Sequence, residues 1–206
     1  MAHIPDGILA LPVVAVGAVA AAACVASGLR GLDERRIPQV AILAAAFFVG
    51  SLIVIPVGPS SVHPLLAALM GLTIGAHAFP AILVGIMLQA ALFGFGGLTT
   101  LGVNTVNIAL PGVVLGLLLS PTVARAAPAG AAWLAGSCAA LSVAGTAGLV
   151  ALCLVLSGSE YVPSAKILVA TYVPLMLGEG IITAFAVAFL KRVRPDFLAG
   201  RTLVSG

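Results

Sequence analysis

The chain has 206 residues, 62% of them hydrophobic and 7% charged, whereas a soluble domain carries about 25% charged residues. So little charge cannot cover a water-facing surface, which excludes an ordinary soluble enzyme and points to an all-α polytopic membrane protein. Nine Lys and Arg against six Asp and Glu give a formal charge of +3, but the basic residues stand between and after apolar stretches, as orientation signals do, and no nucleic-acid partner is expected.

A spanning helix needs about 20 mainly apolar residues, and shorter ones can be sheltered inside a bundle. Seven candidates follow along the chain. The first runs from Ile8 to Leu29 and ends at Arg30-Gly31. No Lys or Arg precedes Arg30, so this run is expected to be retained and not cleaved as a secretory signal. The second runs from Pro38 to Val57, with Pro38 at a favourable helix start, and Gly58-Pro59-Ser60-Ser61 breaks the chain after it. The third starts near Val62. The third and fourth share Pro64 to Gly94, interrupted at Gly75-Ala76-His77-Ala78-Phe79-Pro80, and both are short. After the Gly- and Thr-rich stretch Phe93 to Asn104, the fifth covers Val106 to Leu119, the sixth Ala131 to Leu156 and the seventh Ile167 to Leu190. Small residues four apart, such as Gly17 with Ala21 and Ala144 with Gly148, suit close helix packing.

Basic residues near helix ends favour the cytoplasm. With the N-terminus outside, seven crossings put Arg30, Arg35, Arg36, Arg125, Lys191, Arg192, Arg194 and Arg201 inside and leave Lys166 outside. The same parity places the N-terminus, His63, the stretch Phe93 to Asn104 and Glu160 on the outer side, and His77 and the C-terminus on the inner side. The expected organisation is one transmembrane domain over residues 1–206. Within it, 1–7 form an N-terminal segment that dips back into the bundle, 93–107 a Gly-rich outer loop, and 191–206 a cytoplasmic tail. Cys24, Cys138 and Cys153 lie in apolar runs without CxxC spacing and read as packing residues. No nucleotide-binding loop and no nucleophile beside a base is visible, so the chain is not expected to be an enzyme, and any energy from ATP has to come from a partner.

Function then rests on the few polar residues that a membrane makes costly. In the opening His3-Ile4-Pro5-Asp6-Gly7, His3 beside a terminal amine can chelate a metal through the amine, a backbone amide nitrogen and its imidazole, or it can simply be solvated. Planar nitrogen coordination favours Ni(II) or Cu(II), and Co(II) can be drawn into it. His63, at a predicted helix start on the same side, either completes that site or is an ordinary first-turn residue. Gln89, Asn104 and Asn107 can orient a ligand histidine through its second nitrogen or satisfy backbone groups in an irregular loop. Glu179, in Gly178-Glu179-Gly180, is the carboxylate near the middle of a span, and either bonds between helices or lies on a metal path. His77 reads as a helix-end residue.

The chain resembles the CbiM/NikM family, the substrate-binding (S) membrane subunits of energy-coupling-factor (ECF) transporters for cobalt and nickel. The likeness covers most of the chain. It is carried by His3-Ile4-Pro5-Asp6-Gly7, Ser61-Val62-His63, and Gln89-Ala90-Ala91-Leu92-Phe93-Gly94-Phe95-Gly96-Gly97-Leu98-Thr99 continuing to Leu101-Gly102-Val103-Asn104-Thr105-Val106-Asn107. The resemblance implies Ni2+ or Co2+ as transported substrate, with no organic cofactor. It implies a metal held by the N-terminal amine, the amide nitrogen and imidazole of His3, and His63, under the Gly-rich segment. It also implies a membrane scaffold (T) subunit, a pair of cytoplasmic ATPases and a small two-helix accessory subunit as partners, in a prokaryotic inner membrane. One departure matters: the family pattern has His directly after Met, and Ala2 intervenes here. Removal of Met1 restores the pattern, with Ala2, His3 and His63 as ligands. If Met1 stays, its amine, two amides and His3 already fill a plane, and His63 becomes redundant or axial. The rival reading is a stand-alone cation channel or proton-coupled metal carrier, supported by Glu179 and weakened by the lack of an inverted repeat.

Overall fold

The computed structural model describes residues 3–57 and 60–199. They form an all-helical protein with one small hairpin. Helix α1 spans Leu11–Leu29 and α2 spans Ile37–Gly50, each with proline in its first turn, where the missing N–H costs nothing. The second expected span stops early. Beyond Gly50 the run Ile53-Val54-Ile55-Pro56-Val57 is β-branched and holds a proline that cannot donate within a helix. It becomes strand β1 (Ile55–Val57), antiparallel to β2 (Ser60–Val62), with Ile55 opposite Val62 and Val57 opposite Ser60.

Helix α3 (Ala67–Ile74) is buried along its whole length. A 3-10 turn at Gly75–His77 follows, and α4 (Ala78–Phe93) comes next. Helix α5 spans Leu101–Arg125, α6 Pro128–Ser157 and α7 Val162–Val193, and a short α8 covers Asp196–Ala199. The fifth helix thus begins five residues before the expected Val106. Of the expected loop 93–107, Phe93 ends α4, 94–100 is non-helical, and 101–107 opens α5. Of the expected tail 191–206, residues 191–193 end α7, α8 covers 196–199, and 200–206 lie outside the described residues.

The centre of the bundle is α3, packed on α5 through glycines. A Cβ on Gly112 would collide with Ala67, and one on Gly116 with Gly71 and Leu72. Gly17 of α1 packs as closely on Val103 of α5, whereas Gly148 faces open space. The two helices therefore run alongside each other in the same direction, away from His63. At the far end, His77 Nδ1 donates to the Gly28 carbonyl at the end of α1 over 2.5 Å, and α4 then returns so that Gln89 reaches the surroundings of His3. Lys191 Nζ donates to the Ala124 carbonyl at the end of α5, 2.6 Å away. Arg30, Arg125, Lys191 and Arg192 are thus gathered at the His77 end.

Among the described residues, five helical stretches are long and apolar enough to cross a membrane: Leu11–Leu29, Ala67–Phe93, Leu101–Arg125, Pro128–Ser157 and Ser159–Val193. The helix Ile37–Gly50 is a shorter apolar one. Large apolar side chains cover the outside, with Leu11 and Trp133 each 80% exposed. A surface of this kind is stable against lipid tails and not against water.

Candidate metal centre

The N-terminal segment is folded into the bundle, with His3 and Ile4 buried. Four residues of the 94–107 region hold it there. The Ile4 N–H donates to Asn104 Oδ1, and Asn104 Nδ2 donates to the Ile4 carbonyl, both at 3.0 Å. This clamp imitates one step of a β-ladder with a side-chain amide. Thr100, at the N-cap of α5, makes no side-chain cap on the backbone N–H groups of its helix. Its hydroxyl donates to the Ile4 carbonyl instead, at 2.7 Å. Exposed Asp6 then accepts from the Leu98 and Thr99 N–H groups and from the Thr99 hydroxyl. The Thr99 hydroxyl is the main reason its carboxyl sits below the usual carboxylate range.

Glycine makes this contact flat. Gly96 has φ +79°, and a Cβ there would crowd His3 Cβ at 3.2 Å and Asn104 Nδ2 at 3.3 Å. A Cβ on Gly97 would collide with the Asp6 carboxyl and backbone. The Gly-rich loop therefore lies backbone to backbone on the segment that carries His3.

The two histidines meet across this arrangement. Their rings are stacked with centroids 5.0 Å apart, and His63 Nε2 lies 3.1 Å from His3 Nε2. The tautomers follow from one fixed partner. His63 Nδ1 lies 2.9 Å from the Pro64 carbonyl, which can only accept, so Nδ1 carries the proton. His63 Nε2 then presents a lone pair, accepts from His3 Nε2–H, and leaves the lone pair of His3 on Nδ1. That atom is buried with no hydrogen-bond partner among the described residues. Burial keeps both rings neutral. It lowers the His63 pKa, and together with the neighbouring His63 it pushes His3 down to about 3.

Gln89 is fully buried near the pair. Both atoms of its amide lack a hydrogen-bond partner among the described residues, although the side chain is near enough to His3 to favour its charged form. Asn107 instead faces Cys153 of α6, 3.7 Å away, and bonds to neither histidine. Beside His3 opens a cavity of ≈ 420 Å³ lined by Ile8, Gly96, Leu154, Tyr161 and Ser164 among others. No group of three His, Cys, Asp or Glu forms a metal-holding cluster among the described residues. Met1 and Ala2 lie outside them. Sequence reasoning missed Asp6, Thr99 and Thr100 as anchors. The one available signal was a pair of threonines directly before a helix, which reads as a cap.

The family model described as "CbiM: Cobalt uptake substrate-specific transmembrane region" matches residues 3–197. The chain is 34% identical to a Haemophilus influenzae protein named for metal transport, over 95% of this chain and 96% of that one. It is also 34% identical to the cobalt transport protein CbiM of Sorangium cellulosum, over 95% and 94% of the two chains. The crystal structure of a truncated transition-metal transporter has the same fold, with a TM-score of 0.73 at 22% identity, covering 92% of this chain and 96% of that one.

Proposed function

The chain belongs to the CbiM family of cobalt uptake substrate-specific transmembrane regions, and from that premise we propose that it is the substrate-capture subunit of an ECF-type importer for Ni2+ or Co2+. The observation that carries this reading is the buried, neutral histidine pair with nitrogens 3.1 Å apart. A planar set of four nitrogens suits Ni2+, and Co2+ can be drawn into it. The lone pair on His3 Nδ1 is the one nearer its own backbone, and it alone can close a small chelate ring with the His3 amide nitrogen. With His3 bound through Nδ1, His63 Nε2 supplies the second imidazole donor. Two positions remain, and backbone nitrogens fill them: the His3 amide and, once Met1 is removed, the Ala2 amine.

The rest of the organisation follows. Residues 1–206 act as one transmembrane domain of about seven crossings in a prokaryotic inner membrane, with the site on the outer side and the basic end in the cytoplasm. A membrane scaffold subunit, two ATPases and a small two-helix accessory subunit drive its cycle. The channel or carrier reading loses its main support, because the Glu179 carboxylate is engaged by backbone N–H groups of Leu65 and Leu66.

The test is metal content of the purified chain. Stoichiometric nickel or cobalt is expected, lost in His3→Ala and His63→Ala and on acetylation of the N-terminus, and kept in His77→Ala. Mass spectrometry should find a mature chain starting at Ala2. A wild-type protein that binds neither metal overturns the reading.

A further inference from the structure

Glu179 lies 1% exposed on α7, in a stretch apolar enough to cross a membrane, where a carboxylate is costly unless it is compensated. Its compensation comes from the backbone that follows His63. Oε1 accepts the Leu65 N–H at 2.6 Å, and both oxygens accept the Leu66 N–H, at 3.1 and 3.2 Å. Both oxygens accept from backbone N–H groups, and such bonds favour the ionised form of a carboxyl. These N–H groups stand at the start of α3, whose N-cap Leu66 has no side-chain cap and a left-handed φ of 51°. Leu66 is the one non-glycine with positive φ among the described residues. A helix start carries partial positive charge, and that stabilises the carboxylate further.

The Leu65 N–H and the Pro64 carbonyl belong to the same peptide group. The carbonyl end of that group receives His63 Nδ1–H at 2.9 Å. A peptide is one resonance unit, so an anion on its N–H increases the electron density on its oxygen. A continuous path therefore runs from the Glu179 carboxylate through the Pro64-Leu65 peptide to His63 Nδ1–H, with the lone pair of Nε2 at its far end. Metal-ligating histidines commonly donate their second N–H to a carboxylate or carbonyl, which fixes the tautomer and raises donor strength. Here the two acceptors are arranged in series.

We propose that Glu179 is a positioning residue for the metal site, acting on His63 through the Pro64-Leu65 peptide group. The N–H groups of Leu65 and Leu66 precede the helix proper, where a side chain at the N-cap would not reach them, so their acceptor has to come from another element. What the carboxylate adds is polarisation of the peptide and a single His63 tautomer. The inference rests on the metal site proposed above.

The experiment uses the full chain in detergent with nickel(II) alone as the probe. Two quantities are read: nickel affinity and the energy of the visible ligand-field band. In Glu179→Gln the affinity is expected to fall about 10- to 100-fold, and the band should move to lower energy because His63 has become a weaker donor. Loss of affinity with an unmoved band means that Glu179 only anchors α3, and it overturns the proposal, as does no change in either. A second measurement does not depend on the variant folding. Nitrogen NMR of the metal-free wild-type protein, with His63→Ala for assignment, is expected to show His63 as the Nδ1–H tautomer. Finding the Nε2–H tautomer overturns the proposal. If the wild-type chain binds no nickel while the tautomer is as expected, the metal-capture reading fails and the Glu179 path stands.

Discussion

At the scale of single residues, the site is prepared by being uncharged. An ordinary histidine titrates near 6.5, whereas His3 is pushed down to about 3, chiefly by burial. A pKa depressed on folding favours the docked state above the unfolded value, and that contribution is lost as pH falls from about 6.5 toward about 3. The metal-free N-terminal segment should therefore stay docked at neutral pH and release in that acid window, followed by hydrogen exchange at the Ile4 amide. The same neutrality fixes the proton count of metal binding. In the proposed site both imidazoles would bind without giving up a proton, so the protons released near pH 7 would come from the terminal amine, pKa about 8, and from each backbone amide that ligates. Nickel titrated calorimetrically in buffers of different ionisation enthalpy should release about two protons when Ala2 leads the chain. Release of about three would mean that Met1 is retained and two amides ligate.

At the scale of elements, the N-terminal segment is held by contacts that local sequence cannot announce. Asn104 lies 100 residues from Ile4, and Asp6 lies 93 from Thr99. Removing the clamp with Asn104→Ala, or lifting the loop off with Gly97→Ala, should weaken nickel binding about 10- to 100-fold while His3 and His63 remain in place. Equilibrium competition with a chelator measures this, and unchanged affinity in both variants would show that the segment docks without the loop. The helices were legible because hydropathy reports long apolar runs directly. Their limits were less so. The second span was drawn through Ile55-Pro56-Val57 because apolar content alone does not distinguish a helix end from a short hairpin. The start of α5 reads as loop because Gly, Thr and Asn are the usual loop residues, and here they pack inward against the terminal segment and Cys153. His3 and His63 were legible as a pair from side and chemistry. Glu179 was legible as a costly charge, but its partners at Leu65 and Leu66 depend on how α7 meets α3, which no spacing in the chain reveals.

At the scale of the whole molecule, the two ends of the bundle differ in kind. One carries the buried His3 and His63 and the glycine loop, and the other gathers Arg30, Arg125, Lys191 and Arg192, with Lys191 holding the end of α5. A membrane potential and anionic inner lipids would make this asymmetry directional, and the proposed orientation has the basic end in the cytoplasm. A single cysteine at Ser60 should then be labelled from outside intact cells by an impermeant thiol reagent, in a background lacking the three native cysteines, and one at Arg194 should be labelled only after permeabilisation. Labelling of both from outside refutes the orientation. Orientation in turn decides what the chain can do alone. In the proposed orientation, an outer-side site covered by the segment after His3 and backed by the fully buried α3 would offer capture without a path to the other face. Vesicles holding this chain alone should therefore bind nickel and fail to concentrate it, and uptake against a gradient should require the scaffold and ATPase subunits. Radioactive nickel in proteoliposomes decides the matter. Accumulation in vesicles of the lone chain, driven by a proton gradient and without ATP, would make it a secondary carrier and remove the capture reading.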